Sequence, residues 1–103
     1  MTDYVYIITR ADMNKEQQLV QSCHAVLESG YQHKKPDRPV NLVVLHVKNK
    51  KELSLVGDNL FQEGIEFKEF YESYRNIGLT SLATTVIKKQ ENSILNRLEL
   101  LRL

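Results

Sequence analysis

Two runs of the chain are apolar almost without interruption. Val5 to Ile8 lies inside D-Y-V-Y-I-I-T (residues 3–9), and V-N-L-V-V-L-H-V-K spans residues 40–48. Both are rich in β-branched and aromatic residues, so both read as strands. A strand that faces water on one side alternates apolar with polar. A nearly continuous apolar run belongs in the middle of a sheet with both faces covered. Each run is followed by a segment with helical spacing. This strand-helix-strand-helix order predicts a βαβ crossover and a parallel pair, with helices above and below the sheet.

The first helical segment follows R-A-D-M-N-K (residues 10–15). Leu19, Val20, Cys23, Val26 and Leu27 recur at helical spacing and predict the stripe that faces the core. Gln17, Gln21 and His24 fall at i, i+4 and i+7 and share a different stripe. Lys15 sits at or just before the first turn, where a cation adds to an end already suited to anions. Gly30 is the expected stop. Gln32–Pro39 contains both prolines and reads as a loop.

The second helix is expected over residues 49–63. Asn49 is its cap, Glu52 takes the capping-box position, Leu53, Val56 and Leu60 make the inward stripe, and Gly64 ends it. Residues 65–71 begin with alternation and predict a half-exposed strand. Residues 72–81 read as a turn-rich loop and 82–88 as a fourth strand. The leucine-rich tail, Glu91 to Leu103, fits either a helical turn or a short strand. The result is a single domain over residues 1–103, a three-layer α/β/α fold on a mixed four-stranded sheet. Ligands of such sheets sit at the carboxyl ends of strands, where the Arg10–Lys15 loop belongs.

Composition narrows the function classes. Hydrophobic residues are 42% and charged residues 26% of the 103, an ordinary globular balance. No run approaches the roughly 20 apolar residues of a membrane span. The first residues, M-T-D-Y, lack a secretory pattern. The one cysteine, Cys23, lies on the expected core stripe and reads as a buried structural thiol. A cytoplasmic protein is the expectation. The net charge of +1 carries no global polyanion signal. The cations do cluster, at Lys34, Lys35 and Arg38, at Lys48, Lys50 and Lys51, and at Lys88 and Lys89, which could form one basic rim. His46, amid apolar strand residues, reads as a hydrogen-bonded sheet histidine. His24, His33 and His46 have no metal-ligand spacing with carboxylates or Cys23. There is no Walker loop, G-x-G-x-x-G or G-x-S-x-G elbow.

The order R-A-D-M, Lys15, Gln21-x2-His24-Ala25, the Leu42–Leu45 strand, the loop Asn76-Ile77-Gly78-Leu79-Thr80 and the leucine-rich Leu98–Leu101 resembles the archaeal and eukaryotic-type (type II) peptidyl-tRNA hydrolases. The match runs in order along almost the whole chain. It implies a type II-like fold, hydrolysis of the ester between a peptide and the 3′ end of tRNA, tRNA as partner, no cofactor, no membrane and a homodimer. On that resemblance Lys15 stabilises the oxyanion, Asn76 and Thr80 place the water, and Gln21, His24, Asp12 and Gly78 support the site. The family has aspartate where this chain has Asn76, in a D-x-G-x-T loop. An amide accepts a hydrogen bond from water but not its proton, and general-base catalysis is worth roughly 10²–10⁴ in rate. Asp12, Glu72 and His24 are the candidates to replace it. Two alternatives stand beside the hydrolase: a catalytically degenerate module of the same fold that binds tRNA or protein, and an enzyme acting on another ester or amide.

Overall fold

A computed structural model describes residues 3–32 and 34–101. His33 and the tail residue Leu103 lie outside the described residues, as do Met1 and Thr2. The chain runs β1 (Asp3–Arg10), α1 (Lys15–Gly30), β2 (Asn41–Val47), α2 (Lys50–Gln62), β3 (Phe67–Glu72), a 3₁₀ turn (Tyr74–Asn76), β4 (Gly78–Thr84), β5 (Ile87–Lys88), a second 3₁₀ turn (Ile94–Arg97) and β6 (Glu99–Leu100). The strands form one mixed sheet in the order β3-β4-β1-β2-β6, with β5 beside the start of β1. β1 and β2 are parallel from Tyr4↔Asn41 to Arg10↔Val47, and every other pairing is antiparallel. The α/β class and the parallel pair are therefore as the apolar runs predict. The sheet has six strands rather than four, because two-residue strands β5 and β6 add to it.

β1 shows why a continuous apolar run belongs mid-sheet. Tyr6 and Ile8 point into a core made with Leu53, Val56 and Leu60 of α2, together with Leu45, Val47, Leu79, Leu82 and Leu95. Val5 and Ile7 point the other way, toward Ala25 of α1 and Ala83. The helices thus cover opposite faces. α2 follows its sequence pattern closely: Asn49 Oδ1 accepts from the Glu52 amide at 3.0 Å, while Glu52 reaches back to the Lys48 amide at 2.9 Å. Gly64 takes a left-handed φ of +75° just beyond the helix, which costs a residue without Cβ nothing.

α1 does not follow its pattern. Its sheet-facing residues are Gln18, Gln21, Ser22, Ala25 and Ser29. Leu19, Val20 and Leu27 are 52%, 49% and 51% exposed, and Cys23 is exposed as well. Of the expected core stripe only Val26 packs against the sheet; the rest faces outward, and Cys23 is not a buried structural thiol. The reason lies in β4, which begins at Gly78 and not at residue 82. Phe70 pairs with Ser81 and Tyr71 with Leu79, so Thr80 is an extra residue, a β-bulge. Strand side chains alternate between faces, and one inserted residue puts two neighbours on the same face. Leu79 and Leu82 point to α2, while Thr80 and Ser81 both meet α1. Hydroxyls on the sheet need polar partners when buried. Ser81 donates to the Gln21 carbonyl at 2.6 Å and Ser29 to the Thr84 carbonyl at 2.7 Å. The small residues of α1 bring the helix close enough for these bonds.

Past Thr84 the main β1–β4 pairing ends. Thr84 Oγ1 accepts from the Tyr6 amide at 3.0 Å and so fills the gap in the ladder before β5 resumes it. The tail is both things it could have been, a 3₁₀ turn followed by a short strand. Glu63 anchors it by accepting from the Ser93 hydroxyl and, at 2.9 Å, from the Ile94 amide. β6 brings Glu99 to His46 at 3.2 Å, on a half-exposed sheet face.

Candidate functional site

The parallel pair sends the starts of both helices to one edge of the sheet, the carboxyl ends of β1 and β2. Each helix opens with the same two residues, an asparagine cap followed by lysine: Asn14-Lys15 and Asn49-Lys50. Asn14 Oδ1 accepts from the Gln17 amide at 2.8 Å. Lys15 is exposed in the first turn, and its ammonium takes part in no hydrogen bond or ion pair among the described residues.

Arg10, the last residue of β1, draws the 76–80 loop to this edge. Its Nη1 donates to the carbonyls of Ile77 and Leu79, both at 2.9 Å. Its Nε and Nη2 donate to the two carboxylate oxygens of Asp12, also at 2.9 Å. A guanidinium suits this work because its planar fork holds five donors in fixed directions. The Arg10 hydrogen bonds and charge hold the Asp12 carboxyl below the usual carboxylate range, against a partial desolvation that pushes it up. Asp12 is thus a locked counter-ion, poorly suited to accept a proton.

The loop itself is conformationally unusual. Arg75 and Asn76 have φ of +53° and +56°, and Gly78 has φ of +78°. The left-handed region is routine for glycine and accessible to asparagine, and it costs roughly 1–2 kcal/mol at a residue such as arginine. A Cβ on Gly78 would stand 3.1 Å from the Lys50 ammonium, so the lysine chain passes over the glycine. Lys50 therefore joins the site from α2. Asn76 is exposed, and the Arg75 guanidinium lies 5.1 Å from the ring centre of exposed Tyr74.

Thr80 lies deeper. It is 0% exposed, and its hydroxyl lies 3.0 Å from Gln21 Oε1 and 3.2 Å from the Phe70 carbonyl. Gln21 Nε2 in turn reaches Glu72 Oε2 at 3.4 Å. Glu72 also accepts from the Tyr74 amide at 3.1 Å. The Tyr74 amide, the Gln21 side chain and nearby His24 hold the Glu72 carboxyl below the usual range. His24 stacks on Phe70 with centroids 4.4 Å apart and rings within 5° of parallel. The chain Thr80–Gln21–Glu72 runs from the interior to the surface beside that stack.

Of the residues expected at the site, Asp12, Asn76 and Gly78 fall on segments that Arg10 ties together, and Lys15 opens α1 at the same end of β1. Gln21, His24 and Thr80 form the helix-sheet seam behind it. Arg10 and Lys50 were not assigned roles from sequence, while Glu72, a candidate base there, lies beside Gln21 at 3.4 Å. The repeated Asn-Lys at the two helix starts was the available signal for Lys50. The basic clusters do not form one rim. Lys48, Lys50 and Lys51 follow β2 at this edge. Lys88 pairs with Asp3 at 2.7 Å, in a depression that also includes Arg38, at the other end of β1. Those ends are about 23 Å apart at the strand rise of about 3.3 Å per residue. A hollow of about 630 Å³ between Phe61, Ile65, Phe67 and Thr85 opens at the far end of β3 and holds none of the expected residues. Among the described residues, no three His, Cys, Asp or Glu side chains gather to hold a metal ion, and no helix is long and apolar enough to cross a membrane.

No protein-family model matches the chain, and no curated protein matches it. A solved structure does: Atu0240, a protein of unknown function from Agrobacterium tumefaciens strain C58. It superposes with a TM-score of 0.60 at 12% identity, over 82% of this chain and 86% of that one. At that identity the likeness is one of fold.

Proposed function

We propose that this chain is a degenerate module of the type II peptidyl-tRNA hydrolase kind, which binds the acceptor end of tRNA at the Lys15–Lys50 edge without efficient ester hydrolysis. The observation that carries the reading is the state of Thr80. Its hydroxyl is wholly buried and bonded within the protein, so it is not free to hold an attacking water or a ribose. Asn76 supplies no basic carboxylate, and Asp12 is neutralised by Arg10. Absence of a general base raises the barrier by about 3–5.5 kcal/mol. Binding needs none of these groups. Phosphates are attracted by Lys15 and Lys50 at the two helix starts and by Arg75 on the neighbouring loop. Exposed Tyr71 and Tyr74 offer flat surfaces on which the unpaired bases of a 3′ end can stack.

A second reading, slow hydrolysis, is favoured by one contact. Gln21 links Thr80 to the Glu72 carboxylate, so a rearranged hydroxyl would have a base one amide away. The test is a pair of measurements on the same protein. Fluorescence anisotropy follows binding of a labelled acceptor-stem hairpin with a single-stranded 3′ end. A timed assay follows release of peptide from peptidyl-tRNA. Binding that weakens with salt and in Lys15→Ala/Lys50→Ala, without turnover, is the expected result. Turnover abolished by Lys15→Ala and raised by Asn76→Asp would establish the hydrolase instead. No binding in low salt would overturn both, and hydrolysis of a simple ester that excess tRNA leaves untouched would point to a different substrate.

A further inference from the structure

β3 ends the sheet and is bonded on one side only, to β4. Its pairing shows which main-chain groups are left over. The Glu66 carbonyl accepts from the Thr85 amide at 3.1 Å, and the Phe70 carbonyl from the Thr80 hydroxyl at 3.2 Å. The even-numbered residues thus bond toward β4. In an antiparallel ladder the residues between them turn their amides and carbonyls the other way, so Phe67 and Glu69 aim donors and acceptors off the edge. Proteins commonly blunt such an edge with proline, a bulge or a covering segment. β3 contains no proline, and the extra residue of the β3–β4 ladder lies in β4. The side chains beside the edge sort by face. Phe67 packs with the α2 core and Phe70 on the α1 side. On the α2 side Phe61 is 79% exposed and lines, with Ile65 and Phe67, the hollow of about 630 Å³. On the α1 side the alternation sets Glu66, Lys68 and Glu72, the last of these bonded to Gln21.

We infer that this edge takes an extended, basic segment of another protein as an added antiparallel strand, with apolar side chains over Phe61 and Phe67 and cations over Glu66 and Glu72. Each part of the occupant follows from a feature of the edge. A row of free main-chain donors and acceptors is answered by another strand, and pockets for alternate side chains then supply the selectivity. The hollow beside Phe61 seats the apolar row. Glu66, Glu69 and Glu72 against Lys68 alone make the edge acidic, so the other row is basic. A second copy of β3 is a poor occupant. The antiparallel register that uses the whole strand sets Glu69 against Glu69 and Glu66 against Glu72, and like charges directly opposite are destabilising. The surface is independent of the Lys15–Lys50 edge, which is basic and lies at the other end of the β3–β4 ladder.

The probe is a fluorescein-labelled peptide of alternating residues, Lys-Val-Lys-Val-Lys-Val-Lys, titrated with the full chain and read by anisotropy. In antiparallel pairing the residue opposite Phe67 shares its face, so the valines carry the bonding amides. N-methylation at the valines weakens binding by about 10-fold or more, and N-methylation at the lysines does not. A peptide of alternating glutamate and valine binds at least about 10-fold more weakly than the lysine peptide. Phe61→Ser also weakens binding by about 10-fold, with melting by circular dichroism unchanged because the ring is exposed. Hydrogen exchange by NMR gives the direct view: the Phe67 and Glu69 amides exchange fast in the free chain and slow when the peptide binds. The inference is overturned if the lysine peptide does not bind, or if methylated valines, the glutamate peptide or Phe61→Ser leave binding unchanged. Slow exchange at Phe67 and Glu69 in the free chain overturns it too, because the edge would then be paired already, by a second copy or by the chain itself.

Discussion

Replacing Arg10 by methionine removes the fork while keeping a long apolar stem in place. The side chain is only 12% exposed, and four hydrogen bonds at 2.9 Å end on it. Two of them satisfy main-chain carbonyls. Hydrogen bonds to charged groups are worth roughly 1.5–3 kcal/mol each, so the pair represents about 3–6. The Ile77 carbonyl belongs to a half-buried residue and regains water in part, which brings the cost to about 2–4 kcal/mol. The Asp12 arm adds less than about 1 kcal/mol, because that carboxylate is 39% exposed and rehydrates. Arg10→Met should therefore cost roughly 2–5 kcal/mol in urea unfolding, a large part of the 5–15 kcal/mol typical of a domain, while Asp12→Asn should cost under about 1. The pH profile separates the arms. The Asp12 carboxyl is depressed in the folded chain, so its stabilisation is present above the unfolded value near 3.9 and is lost as pH falls toward the folded one. Arg10→Met should flatten that acid-side slope. A cost below about 1 kcal/mol would mean that water serves the two carbonyls equally well, and that Arg10 does not hold the 76–80 loop against β1.

Thr80→Val removes the hydroxyl between Gln21 and the Phe70 carbonyl; a loss of about 1–3 kcal/mol is expected from the groups left unpaired, read as a lower urea midpoint. Gly78→Ala must hold a left-handed φ and displace the end of Lys50, so a loss of about 1–2 kcal/mol is expected by thermal melting. Leu60→Ala, at a fully buried contact of α2, should cost about 2–5 kcal/mol, and the size of its effect reports how far the α2 core relaxes. Asn49→Ala deletes the side-chain acceptor for the Glu52 amide; about 0.5–2 kcal/mol should be lost, with helical content otherwise retained.

The legible parts of the fold are those where the burial pattern is apolar. Leu53, Val56 and Leu60 repeat at helical spacing, a cap precedes them, and a glycine follows, so α2 can be drawn from the chain itself. β1 and β2 are legible for the same reason, as is the parallel pairing that brings the helix starts together. α1 carries two helical stripes, one of leucine and valine and one of Gln18, Gln21, Ser22, Ala25 and Ser29. Periodicity identifies the helix but does not choose between them, and hydropathy alone chooses wrongly. The choice is made by Thr80 and Ser81, some 60 positions away, whose hydroxyls need partners. The same pair made β4 look like loop, since Thr-Ser beside a glycine has the composition of a turn. Two-residue strands have no periodicity to detect. At the site, Lys15 and the 76–80 loop stand out through the family resemblance. Arg10 is harder to assign because its partners are main-chain carbonyls, which carry no signature in the residues that own them.

The bulge at Thr80 also fixes how this strand can change length. Removing Thr80 itself would restore strict alternation, and its neighbours would keep the layers they already occupy, Leu79 and Leu82 toward α2 and Ser81 toward α1. Removing or adding a residue elsewhere in β4 would instead carry leucines into the glutamine layer and hydroxyls into hydrocarbon. Length changes are therefore expected either at position 80, where they forfeit the contact with Gln21, or in the 73–77 turn, where no side chain has to change layers.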